Sequence, residues 1–347
     1  MKRLVAYLFA LAAACSWGRL LLAEDASAID AAVETPANAA PAQTPGPDPA
    51  QIRRALIICG LPGDAEHRKL FAESIEALYA ALTTRHGFAA ERIAVLFSGD
   101  TEEKDGPALK ASRGPATREA LAAAAAEWEQ ELQPDDALWT FVFGHAHFDG
   151  RASWLNLPGP DMNQIEFGKL FAEIKCREQA FFVATSASGY YLKPLAAPGR
   201  IVIVATEADF EVNETIFPHK LVKLLAQPPA LAAFDVDGDG RATLLDAYLG
   251  AARDTAQEYA SGELLATEHA LIDDNGDGRG TELQTDYLTE ELGGRLRAGR
   301  AKPAPRGGDG ALARQISLAV PLVAPEPVPA AAEPTAQSPD SEKSPGG

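Results

Sequence analysis

"FFVATSASGYY", residues 181–191, is an apolar run that ends in a turn of small residues, Thr185-Ser186-Ala187-Ser188-Gly189. A strand that is apolar on both faces is buried on both faces, as in a parallel sheet covered by helices. Other runs follow the same pattern: "ALIICG" (55–60), "RIAVLFSGD" (92–100), "ALWTFVFGH" (137–145) and "RIVIVATE" (200–207). Between them, apolar residues recur at helical spacing. Leu70, Phe71, Ile75, Leu78, Tyr79 and Leu82 mark one helix; Leu121, Ala124, Ala125, Trp128 and Leu132 mark a second, with Thr117 as its N-cap. Ile165, Leu170, Phe171 and Ile174 mark a third, which Asp161 of the preceding loop is expected to cap. The alternation predicts an α/β fold, a mostly parallel sheet with helices on both faces. In such sheets ligand sites gather at the carboxyl ends of the strands.

The chain has 347 residues, is 46% hydrophobic and carries a formal net charge of −18, a balance that argues against nucleic acid as a partner. Its three cysteines, Cys15, Cys59 and Cys176, are too few for a disulfide framework. Lys2 and Arg3 before "LVAYLFALAAAC" (4–15) read as an export signal over residues 1–28, too short to span a bilayer. The expected location is periplasmic or extracellular, by plain cleavage after Ala23 or Ala28 or with a lipid anchor on Cys15. No later segment is apolar for long enough to be transmembrane. Residues 29–50 read as a disordered Ala/Pro linker and 298–347 as a disordered Pro/Ala-rich tail. The folded part divides into an α/β domain over 51–230 and a helical segment over 231–297.

Two stretches sit at strand ends. "FVFGHAHFDG" places His145 just after a strand, where an imidazole can move a proton near neutral pH. The next strand ends in the quoted turn, with Ser186 and Ser188. His145, His147 and Asp149 also spell the start of an H-x-H-x-D zinc signature, with His219 and His269 available as further ligands. The βα alternation disagrees with the sheet packing of that hydrolase class, so zinc ranks last.

The order strand, Gly-His, helix, strand, small turn ending Ser-Gly, strand resembles the caspase-like and legumain-like cysteine peptidases over residues 52–225. That family carries His-Gly after one strand and Cys-x-Ser-Gly after the next. His145 falls on the family histidine and Ser188-Gly189 on its Ser-Gly; Ala146 replaces the glycine, and Ser186 stands at the cysteine. The resemblance implies a caspase-like sheet and a peptidase-like site. A thiol is partly ionised near neutrality, whereas a serine hydroxyl needs an oriented base. The exchange therefore implies a pseudoenzyme that binds a protein or peptide ligand. The alternative is a calcium-supported hydrolase with Ser186 as nucleophile, His145 as base, Asp149 as orienting group, and N–H groups near Ala146 and Ser186 as an oxyanion hole.

"DVDGDGRATLLD" (235–246) has the EF-hand pattern, oxygen ligands at positions 1, 3, 5, 7, 9 and 12 with Gly at 6. Asp235, Asp237, Asp239, the carbonyl of Arg241, Thr243 and Asp246 fill these places, and Gly240 sits at 6. "DDNGDGRGTELQ" (273–284) repeats it with Asp273, Asn275, Asp277 and Thr281, but position 12 is the neutral Gln284. Calcium is the expected cofactor, and a pair of EF-hand-like units is expected over 231–297.

Overall fold

The computed structural model describes residues 42–208, 211–297 and 308–323. Its strands are β1 (Arg53–Cys59), β2 (Ile93–Phe97), β3 (Ala137–Phe143), β4 (Ala146–Phe148), β5 (Ser153–Leu155), β6 (Met162–Asn163), β7 (Glu178–Val183), β8 (Arg200–Val204) and β9 (Leu271–Asp273). The helices are α1 (Ala65–Thr84), α2 (Pro107–Lys110), α3 (Arg118–Glu131), α4 (Gln164–Leu170), α5 (Leu192–Leu195), α6 (Phe217–Ala226), α7 (Leu231–Phe234) and α8 (Leu244–Ser261). Six strands form one sheet in the order β2-β1-β3-β7-β8-β9. All neighbours run parallel except β9, which lies antiparallel to β8. The expected α/β architecture is therefore present.

Alternation along each strand divides the core in two. Ile57, Val95, Phe141, Phe182 and Ile203 face α1, α6 and α8, whereas Leu56, Leu96, Val142, Phe181 and Val202 face α3 and α4. Phe141 and Phe182, on adjacent strands, stack with ring centroids 4.3 Å apart. Each such ring buried contributes roughly 1.5–3 kcal/mol. Thr117 caps α3 as expected, accepting from the Ala120 amide. The third helix differs from its reading. Asn163 caps α4 in a box with Glu166, while Asp161 accepts from the Leu157 amide and holds the loop. Ile165 is 53% exposed, because the inward face is set by Gln164, Phe167 and Gly168.

Three expected boundaries need correction. Residues 231–297 are not a separate segment: they supply β9 to the sheet and α8 to the core that α1 and α6 also line. Within the expected tail, residues 308–323 are packed, with Ala313, Leu318 and Val320 buried. Within the expected linker, Thr44 joins that stretch, its hydroxyl donating to the Leu318 carbonyl at 2.9 Å. The export signal, Cys15 and the remainder of both expected disordered segments lie outside the described residues. Among the described residues no helix is long and apolar enough to cross a membrane. Cys59 is buried and Cys176 half-buried, and both are free thiols.

His86 is 1% exposed and bonds the Leu225 carbonyl at 3.0 Å, so it ties the end of α1 to α6. Burial lowers its pKa to about 4. A base whose folded pKa is depressed stabilises the fold above its unfolded value and loses that contribution as pH falls towards the folded one. Urea unfolding should thus show a loss of about 2 kcal/mol between about pH 7 and pH 4.5 that His86→Gln removes. An unchanged pH slope in the variant would contradict this assignment.

Candidate functional site

The chain reverses after β3 at Gly144, whose φ is +115° and whose added Cβ would lie 3.0 Å from the Gly60 nitrogen. Glycine is needed there for both reasons. His145 follows, between the ends of β1 and β7. The turn after β7 is built with equal specificity. Ala187 holds a left-handed φ of +51°, its amide bonded to the Glu211 carbonyl. The Ser188 hydroxyl accepts from the Ala205 and Thr206 amides, and a Cβ on Gly189 would lie 2.4 Å from the Ala208 nitrogen. Ser188-Gly189 is thus a clamp between the turn and the end of β8.

His145 and Ser186 line one cavity with Phe71, Glu214, Thr215 and His219. They do not form a nucleophile–base pair. The Ser186 hydroxyl donates to the Ala146 carbonyl at 2.7 Å, and His145 Nε2 bonds the Pro62 carbonyl at 3.0 Å. Ala146 therefore meets Ser186 through an acceptor, where an oxyanion hole needs a donor. Asp149 does not orient His145, because its carboxylate accepts from the Arg151 and Ala152 amides and the Trp154 indole. The cavity holds about 10 Å³ for the centre of a water molecule. That is room for about one water, against the several hundred Å³ of an ordinary ligand site.

A group that the sequence reading missed stands beside this cavity, against two of the residues that line it. His67, on the first turn of α1, bonds Asp64 through Nδ1 at 2.7 Å and Glu214 through Nε2 at 2.8 Å. A carboxylate on each nitrogen favours the imidazolium, and Glu214, then Asp64, raise its pKa. Its ring meets His145 edge-on at 4.8 Å.

The zinc residues are not assembled. His147 bonds Asn156, His219 bonds Ser74 and His269 bonds Glu211. Among the described residues one group of three metal-ligating side chains lies together: Asp235, Asp237 and Asp239, with ligand atoms within 4.8 Å of one another.

The two Asp-rich loops fold alike, position by position. Asp235 accepts from the Gly238, Asp239 and Gly240 amides; Asp273 accepts from those of Gly276 and Gly278. Asp237 and Asn275 each accept from the amide two residues on, as do Asp239 and Asp277. The paired glycines have φ of +77° and +80° in the first loop, +77° and +76° in the second. In the first loop Asp246 accepts from the Val236, Asp237 and Thr243 amides and from the Thr243 hydroxyl, which also caps α8. Burial pushes the Asp246 carboxyl up to about 6. Thr243 and Asp246 thus close the loop from behind, and Asp235, Asp237, Asp239 and the Arg241 carbonyl remain as the oxygen set for a metal. Oxygen donors suit calcium, and the buried Asp237 Oδ2 has no hydrogen-bond donor.

In the second loop Gln284 is turned away, its amide donating to the Ala270 carbonyl at 2.9 Å. Its place behind the loop is taken by Asp309, which accepts from the Asp274 amide and the Thr281 hydroxyl. Those are the second and ninth positions, two of the three that Asp246 grips in the first loop. The second loop also leaves a strand, β9, and enters a short 3-10 turn, so the expected paired EF-hand helices are replaced by the sheet edge.

No protein-family model matches the chain, and no curated protein matches it. The geometry of the site gives a chemical expectation. A fluorophosphonate should leave Ser186 unlabelled, and Ser186→Ala should cost about 1 kcal/mol in urea unfolding through the lost hydrogen bond. Stoichiometric labelling of Ser186 would show an activated hydroxyl.

Proposed function

We propose that the chain is an exported, non-catalytic relative of the caspase-like and legumain-like peptidases that works by binding or scaffolding a protein or peptide, with calcium in its Asp-rich loops as a structural ion. The observation that carries this reading is the pair of hydrogen bonds that point Ser186 at the Ala146 carbonyl and His145 at the Pro62 carbonyl. A hydroxyl without a base is a poor nucleophile. The small cavity supports the same conclusion, since a peptide side chain does not fit in it.

The calcium part rests on the Asp235, Asp237 and Asp239 cluster, with Asp273, Asn275 and Asp277 at the matching positions of the second loop. Bound calcium would neutralise carboxylates that otherwise repel one another next to the core. Calcium at about 100 times its dissociation constant should add about 2.7 kcal/mol to the stability of the fold. Asp235→Asn should abolish most of that gain; an undiminished gain would remove the first loop from the account.

The catalytic part is tested with a mixed peptide library in millimolar calcium. The natural protein is expected to show no turnover, and Ser186→Cys is the variant in which a residual scaffold activity would emerge. Turnover by the natural protein that His145→Ala abolishes would establish the alternative, a calcium-supported serine hydrolase.

A further inference from the structure

Three carboxylates crowded within 4.8 Å need a positive charge among them. The need is sharpest at Asp237, whose side chain is 1% exposed. Burial, then Asp239, raises its pKa, and its Oδ2 receives no hydrogen bond. A cation nevertheless stands there. Arg314 Nε lies 2.8 Å from Asp237 Oδ2 and 3.0 Å from Asp239 Oδ2. Its N–H is directed at Asp239, so Asp237 Oδ2 is met by the charge of the guanidinium and not by its proton. Arg241 pairs with the same Asp239 Oδ2 at 2.8 Å and is itself 56% exposed.

Arg314 comes from far along the chain, and the packed stretch 308–323, a strap across the two loops, holds it in place. The Asp274 carboxylate accepts from the amides of Gly310, Leu312 and Ala313 at 2.9, 2.8 and 2.8 Å. Beyond Arg314, the Ile316 carbonyl accepts from the Leu244 amide, and the Leu318 amide donates to the Ala242 carbonyl. The strap is thus fixed on both sides of Arg314, to the second loop before it and to the first loop after it. A charge delivered this way acts at a high effective concentration.

We propose that Arg314 is a tethered counter-ion of the first loop, and that a divalent cation bound by Asp235, Asp237 and Asp239 has to drive its guanidinium off Asp237 Oδ2. The inference rests on the calcium reading above and adds its regulation: the strap and the metal compete for one site. The physical ground is that calcium takes six to eight oxygens at about 2.3–2.6 Å, whereas the guanidinium here lies against two of the oxygens that would turn to the ion. Two cations at that separation also repel each other in a half-buried place. Linkage makes the effect reciprocal: whatever affinity calcium loses to Arg314, the hold on this part of the strap loses to calcium.

The test is a calorimetric calcium titration of the full chain and of Arg314→Gln, with Arg241→Gln as the control that removes the exposed cation on Asp239 and leaves Arg314 on Asp237. Arg314→Gln is expected to bind calcium about tenfold more tightly than the natural protein, and Arg241→Gln to shift it much less. A second readout needs no variant. Tryptic cleavage after Arg314 in the natural protein, followed by mass spectrometry, should become faster when calcium is added. Equal or weaker binding by Arg314→Gln, or cleavage after Arg314 unchanged by calcium that does bind, overturns the competition while leaving the calcium site standing. Absence of binding in every protein overturns the calcium reading itself, and the competition falls with it.

Discussion

The pairing of β9 with β8 is the constraint from which most of this molecule follows. Val202, Ile203 and Val204 pair with Asp273, Ile272 and Leu271 in antiparallel register. One end of β9 is therefore the first residue of the second Asp-rich loop. The strand it pairs with leads directly to Ala205 and Thr206, which grip Ser188. A loop of calcium-binding pattern and the turn that would carry a nucleophile are thus held by neighbouring strands of one sheet. The fully buried Asp273 is tolerable at that edge because two loop amides satisfy its carboxylate.

From the same edge, α8 brings in the first loop. Its Leu244, Leu245, Tyr248 and Leu249 are buried against the face that α1 and α6 cover. The strap over 308–323 then crosses both loops, gripping the second through Asp309 and Asp274 and the first through Arg314. Metal binding at either loop would act on residues that are part of the main core. Beside the candidate catalytic cavity stands His67, held between Asp64 and Glu214.

The sheet was legible in the sequence because a strand buried on both faces leaves an uninterrupted apolar run, as in "ALWTFVF" and "AFFV". His145 and Ser186 were legible because both follow such runs directly. Thr117 was legible because a cap acts on its own helix; Asp161 misled because Asn163, two residues on, offers the same chemistry closer to α4. What escaped depends on distance along the chain. His67 finds Glu214 147 residues away, and Arg314 finds Asp239 75 residues away. Asp309 completes the second loop across 28 residues from Thr281. Its flanking "PAPRGGDG" carries the composition of a linker, so nothing local marks the one carboxylate that packs.

The sheet and both Asp-rich loops share one core and one sheet edge, so on the calcium reading proposed above they are expected to unfold as one unit that calcium stabilises. Differential scanning calorimetry of the full chain with calcium and with chelator tests this expectation most directly. The account predicts a single unfolding transition whose midpoint rises as a whole when calcium is added. Two transitions, of which calcium moves only one, would contradict it.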